Sequence, residues 1–415
     1  MVCVKPFRGV RYNLEKSLLK NVIAPPYDVI SEEMRENLLS KSSFNVVKLI
    51  LPTGENRYEQ AAKDYKKWKD DNILQRDPEP SFYIYEQEYE YGGKTYVRTG
   101  FVGLLKLEEL GKGKVFPHEK TLSGPKEDRL NLMKACKTNF SQVFGLYMDK
   151  ENKLERIFST IKKDMASSSA VDVYGVKNTL WVVKDNELIE KIKEFMKEKS
   201  VYIADGHHRY ETALAYRNYM RSEDKDSENK EKPYDYIMMM FVNFYDEGLK
   251  IFPTHRAVEL DENFNELEFL NELKKYFVVT NLLKEEKDKY FQEDGDKKII
   301  FKFQNNYYGL VVKDDVYESL HPVYRKVNTY ILQEVILKNI LHFAEERILS
   351  KKGIYFVQSE DEIEKIAKDK KIAAFILKGI DIEVIRDISE NGLVMPQKST
   401  YFYPKLQTGL VINEF

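Results

Sequence analysis

Only two cysteines, Cys3 and Cys136, occur in 415 residues. That excludes a disulfide framework and a zinc-finger module, and it points to a reducing compartment. No stretch approaches the roughly 18 apolar residues of a membrane helix. The opening MVCVKPFRGVRY lacks the apolar core of a signal peptide. A cytoplasmic protein without a membrane partner is the expectation. Positive charge is not in excess either: 66 Lys and Arg face 68 Asp and Glu, a net charge of -2. A chain so balanced has no global field to hold a polyphosphate backbone, which speaks against a nucleic-acid partner. The familiar nucleotide and hydrolase signatures are also missing, with no GxxxxGK[ST], GxGxxG, HRD, DFG or GxSxG.

What is present is a globular composition, 42% hydrophobic and 32% charged, of a length that suits two or three domains. Ser31 can cap a helix from about Glu32. Asn45–Leu51 (NVVKLIL) reads as a short buried strand. Tyr58–Asp70 carries Ala61, Ala62, Tyr65 and Trp68 at helical spacing. Ser81–Tyr91 and Thr95–Leu105 alternate around Gly92-Gly93, which predicts a hairpin. A helix is expected from about Lys126 and another over Glu187–Lys197. Strands are expected at Thr179–Lys184, Val201–Ala204 and Tyr236–Phe244. Ser222–Lys232 is a mixed charge run suited to an exposed loop. Beyond about Glu259 come helix Asn265–Tyr276 and strands near Phe277–Thr280, Lys298–Phe303 and Tyr307–Val312. A long helix Tyr324–Ile348 and two strand-helix units over 354–368 and 373–389 follow. Strands interleaved with helices predict an α/β class with a mixed, α+β sheet.

The sharpest chemical signal is YIADGHHRY, Tyr202–Tyr210. An apolar strand ends in Asp205 and passes through Gly206 into a helix that starts with His207, His208 and Arg209. A helix N-terminus favours anions, Gly206 permits close backbone approach, and a guanidinium matches phosphate geometry. Asp205 could hold magnesium between phosphate oxygens. The two His as a zinc site is a poorer reading, because adjacent helical residues diverge and no Cys or HExxH accompanies them. A second cluster, FPHEKTLSGPKEDR, offers His118, Glu119 and Lys120 on an irregular stretch, with Glu119 a candidate general base. Thr254, His255 and Arg256 directly follow a strand. Lys398, Ser399 and Thr400 form a donor cluster between prolines near the C-terminus. Each of these clusters also reads as a plain surface loop. Together they supply what phosphoryl transfer needs, a phosphate clamp and a carboxylate base.

YIADGHHRYETAL resembles the phosphate-binding signature of the ParB/sulfiredoxin-like superfamily, and within it the DGHHR turn of the free L-serine kinases. Pro117-His118-Glu119 is similar to those kinases' PHE, whose Glu is the catalytic base. NFYDEGLKIFPTHR and Pro396-x-Lys398-Ser399-Thr400 match further segments in the same order. The chain also resembles a widespread prokaryotic family marked by APPYDVI, HEKT, ADGHHRYETA and MPxKSTYFYPK. The resemblance implies a phosphotransferase making O-phospho-L-serine from L-serine and ATP or ADP with Mg2+. It implies that Glu119, Asp205 and His207 are catalytic, with Asp205 the metal ligand. Gly206, His207, His208, Arg209, Lys398, Ser399 and Thr400 then hold nucleotide. His118, Lys120, Thr254, His255 and Arg256 serve the substrate. Domains are expected at 1–110 (an N-terminal extension), 111–258 (a ParB/sulfiredoxin-like core) and 259–415 (a C-terminal section returning to the site through 395–411). Glu119, His207, Arg209 and Lys398 are expected around one cleft. The rival readings are a non-catalytic nucleotide-binding regulator of ParB type and a phosphatase using the same site. The oligomeric state is left open.

Overall fold

The computed structural model describes residues 1–119, 123–223, 230–292 and 295–415, without the side chains of 123–125 and 288. Lys120 and most of the charge run at 222–232 therefore lie outside the described residues. The chain forms two compact units. One comprises Met1–Pro117, Thr121–Lys250 and Pro404–Phe415, the other His118–Lys120 and Ile251–Tyr403. Both are α+β with mixed or antiparallel sheets.

The first unit is built on a nine-stranded sheet. Its centre is the hairpin Phe82–Tyr91 and Lys94–Lys106, turned by Gly92 and Gly93 at φ 58° and 74°. Two residues with positive φ match the twist of the paired strands, so the Gly-Gly signal holds. Lys94–Lys106 pairs antiparallel with Tyr236–Asn243, which pairs in parallel with Val143–Tyr147. Val143–Tyr147 then pairs antiparallel with Val201–Asp205. Tyr236–Asn243 and Val143–Tyr147 are buried along their whole length, as strands covered on both faces must be. Tyr210, Ala213 and Leu214 of helix His207–Glu223 and Met133 of helix Ser123–Cys136 join the same apolar core as Ile203, Ile237 and Met239.

The second unit has a six-stranded sheet in the order 277–282, 306–312, 298–303, 372–376, 255–259, 354–357. Every pairing in it is antiparallel. Its core gathers Phe269, Phe301, Leu310, Ile331, Ile336 and Phe375.

Two expectations fail locally. Asn45–Leu51 is no strand: Val47–Ile50 is a helical turn. Asn45 decides it. Its Oδ1 accepts the Val47 N–H at 2.9 Å, and its Nδ2 donates to the carbonyls of Asn21 and Ile23. That side chain starts a turn, and the turn overrides the β-branched run. The long helix Tyr324–Ile348 is also broken. Asn328–Ile331 continues as a π-helix over Leu332–Ile340, His342 takes φ 53°, and a separate helix covers Glu345–Ser350. The apolar residues of that run are wound with i→i+5 bonds such as Leu341 N–H to the Ile336 carbonyl. Among the described residues, no helix is long and apolar enough to cross a membrane.

Candidate functional site

In the first unit, strand Val201–Asp205 delivers Asp205 to the turn, and helix His207–Glu223 begins immediately after Gly206. Gly206 has φ 90°, and its amide donates to Asp205 Oδ1 at 2.9 Å. The other carboxylate oxygen faces two cations, Lys405 Nζ at 3.2 Å and Arg209 Nη2 at 3.6 Å. Arg209 also donates to the Gln142 carbonyl. His207 is buried and His208 half-buried. Asp205 thus sits at an inward-held carboxylate flanked by positive groups and a helix N-terminus. A divalent cation bound there would sit against Lys405 and Arg209, whose charges oppose it, so the surroundings of Asp205 do not fit a magnesium ligand.

Lys405 carried no expectation, although it closes the sequence mark MPxKSTYFYPK. It is placed by Arg98, a fully buried guanidinium that donates to the Pro404 carbonyl and to Gln87, and by Gln87 Nε2, which donates to the Lys405 carbonyl at 3.0 Å. Burial pulls the Arg98 pKa down to about 10. The signal in the sequence is Pro404-Lys405 directly after an aromatic strand, Tyr401–Tyr403.

Any L side chain at 206 is strained at that φ, and a Cβ would lie 2.8 Å from Arg209 Nε. Gly206→Ala is expected to lower stability by ~1–3 kcal/mol and to displace Arg209. Chemical denaturation with an ATP titration checks both; a fully stable variant with native affinity would show that the turn tolerates a side chain.

The second unit gathers the other predicted clusters. Met395 pairs in parallel with Glu119, and its N–H donates to the His118 carbonyl at 2.8 Å. Glu119 Oε1 accepts the Lys398 N–H at 3.1 Å. Lys398 takes φ 56°, which turns the chain so that this amide meets the carboxylate. His118 Nε2 lies 3.1 Å from Thr400 Oγ1. Ser399 is buried, donates to the Pro396 carbonyl at 2.6 Å and lies 2.6 Å from Thr329 Oγ1.

Thr254, His255 and Arg256 are occupied inside this unit. Thr254 Oγ1 accepts from Gln358 at 3.2 Å. Arg256 is buried over the Phe356 ring and donates to the carbonyls of Thr254, Gln397 and Lys398. Burial lowers its pKa to about 9, against the opposing pull of Glu119. It therefore straps the 396–400 segment whose Lys398 amide meets Glu119. His255 Nδ1 accepts the Leu377 N–H at 3.1 Å, which requires an unprotonated nitrogen there. Burial, with Arg256 adding, pushes its pKa down to about 4.

A folded histidine pKa below the unfolded value of about 6.5 means the unfolded chain binds more protons between the two. Stability is therefore full above pH 6.5 and falls as pH drops toward 4, by on the order of 3 kcal/mol from this group. Urea unfolding monitored across pH 4 to 7 is expected to show that loss, and His255→Asn to flatten it. An unchanged slope in the folded variant would remove His255 as its source.

The chain belongs to the family described as "Protein of unknown function (DUF1015)", whose model matches residues 4–330. No curated protein matches the sequence. Among solved structures it is similar to a conserved hypothetical protein from Pyrococcus furiosus, at 13% identity over 71% of this chain and 89% of the other, with a TM-score of 0.35. It is similar to a free serine kinase in complex with AMP, at 14% identity over 71% and 92% with a TM-score of 0.35. A third is C-terminally truncated SbnI from Staphylococcus aureus, at 8% identity over 71% and 82% with a TM-score of 0.36.

Proposed function

We propose that the protein is a small-molecule kinase, moving a phosphoryl group from ATP or ADP to the hydroxyl of free L-serine to give O-phospho-L-serine. One observation carries the reading: Arg209 and Lys405 flank Asp205 where a strand turns into a 17-residue helix. Two cations, a glycine backbone and a helix N-terminus form a preorganised anion site without a P-loop. The DGHHR resemblance to the ParB/sulfiredoxin-like superfamily supports it.

In this reading Gly206, His207, His208, Arg209 and Lys405 hold the phosphates. Glu119 accepts the serine hydroxyl proton as the new O–P bond forms. The bridging O–P bond breaks and the shortened nucleotide leaves with its electron pair. His118 and Lys120 support the developing charge, and the Lys398–Thr400 segment fixes Glu119. Magnesium is assigned to the incoming nucleotide and not to Asp205. Positioning and charge neutralisation supply most of the rate in such a transfer.

The test is a mass-spectrometric screen of amino acids and small alcohols with magnesium and either ATP or ADP. Phosphoserine is the expected product. Free phosphate alone would make the protein a hydrolase, and bound but unconsumed nucleotide would make it a regulator.

A further inference from the structure

A pocket lies in the first unit beside the opening turns of helix His207–Glu223. Arg209 and Thr212 of that helix line it, with Tyr27 and Arg129. Arg129 stacks on the Tyr27 ring at 4.3 Å and donates to Asp128 and to the Ile50 carbonyl, so this wall is fixed. Other walls are apolar, including Phe140 and Ile237.

Three of the lining residues hold polar atoms that a closed core would not leave alone. Thr138, Asn139 and Thr212 are 2%, 3% and 1% exposed. Thr138 Oγ1, Asn139 Nδ2 and Thr212 Oγ1 have no hydrogen-bond partner among the described residues. Asn139 is not free to turn: its Oδ1 accepts from the Met238 N–H at 3.2 Å and from Asn413 Nδ2 at 3.0 Å, which fixes which end is the unused donor. Buried polar atoms are costly unless paired, so three around one pocket point to an occupant that pairs them.

The chemistry of the walls says what kind. Deep groups are uncharged hydroxyls and an amide on an apolar surface, suited to a planar heterocycle with its own donors and acceptors. Guanidinium charge is contributed by Arg209, which also belongs to the Asp205 turn. The geometry points to a nucleobase subsite: the base of the nucleotide lies in this pocket, with Thr138, Asn139 and Thr212 reading its edge and Arg209 joining it to the phosphates. This rests on the reading of the Asp205–Arg209 turn as a phosphate site. It also gives the N-terminal segment a task, since Tyr27 comes from APPYDVI.

Thr212→Val and Thr138→Val remove a hydroxyl at constant shape. Each is expected to leave the empty protein as stable or more stable, because an unpaired buried hydroxyl is lost. Each is expected to weaken ATP binding about tenfold, the worth of one buried hydrogen bond, while inorganic tripolyphosphate binds as before. Calorimetry with ATP, adenosine and tripolyphosphate on both variants reads this. Unchanged ATP affinity in both folded variants overturns the subsite while tripolyphosphate binding preserves the phosphate site. Loss of tripolyphosphate binding in wild type overturns both readings. ATP bound no more tightly than tripolyphosphate by the wild type also overturns the subsite.

Discussion

Glu119→Gln is expected to lower phosphoserine formation by roughly 10²- to 10⁴-fold, the usual worth of a positioned general base. The substitution keeps the size of the side chain and an oxygen for the Lys398 N–H, which Glu119 Oε1 accepts at 3.1 Å. The 396–400 segment should therefore stay in place, held also by Arg256. What is lost is the ability to take a proton. Nucleotide affinity should stay close to native, because phosphate binding is assigned to Gly206–Arg209 and Lys405. Turnover at the wild-type level would remove Glu119 as base. Equal loss of affinity and turnover would mean that it positions the nucleotide.

Arg209→Met is the second large effect. The guanidinium is mostly buried, bonds the Gln142 carbonyl and lies 3.6 Å from Asp205. Methionine replaces its length and apolar stem but not its charge. Charge-assisted contacts are worth about 1.5–3 kcal/mol, so ATP and tripolyphosphate affinities should both fall about 10- to 100-fold. Loss in parallel for the two ligands marks a phosphate contact. Loss for ATP alone would restrict Arg209 to the nucleobase pocket, and native affinity for both would move the phosphate site away from this turn.

Much of this was legible in the chain, for reasons tied to particular residues. Gly92-Gly93 and the alternation around it admit few structures besides a two-residue hairpin. Asp205-Gly206 after an apolar run states a strand, a turn and a helix start. Asn45–Leu51 misled because composition cannot show that Asn45 will be buried and bonded to carbonyls 22 and 24 residues earlier. Tyr324–Ile348 misled because an apolar stripe does not distinguish an α-helix from a π-wound one ended by a left-handed His342. Lys405 was invisible as a site residue for a related reason. Its place beside Asp205, 200 positions earlier, depends on Arg98 and Gln87 gripping the terminal segment. No local pattern encodes that grip. Thr138, Asn139 and Thr212 look like ordinary core and strand residues until their unused polar atoms are seen together.

The proposed reaction moves a phosphoryl group from a nucleotide to serine. A phosphorus NMR time course follows the whole reaction in one tube, with the protein, magnesium, L-serine and either ATP or ADP. An O-phosphoserine resonance is expected to grow in step with loss of the terminal nucleotide phosphate for one of the donors, and to grow roughly 10²- to 10⁴-fold more slowly with Glu119→Gln. A growing inorganic phosphate signal with no phosphoserine, or unchanged spectra with both donors, would contradict that reaction.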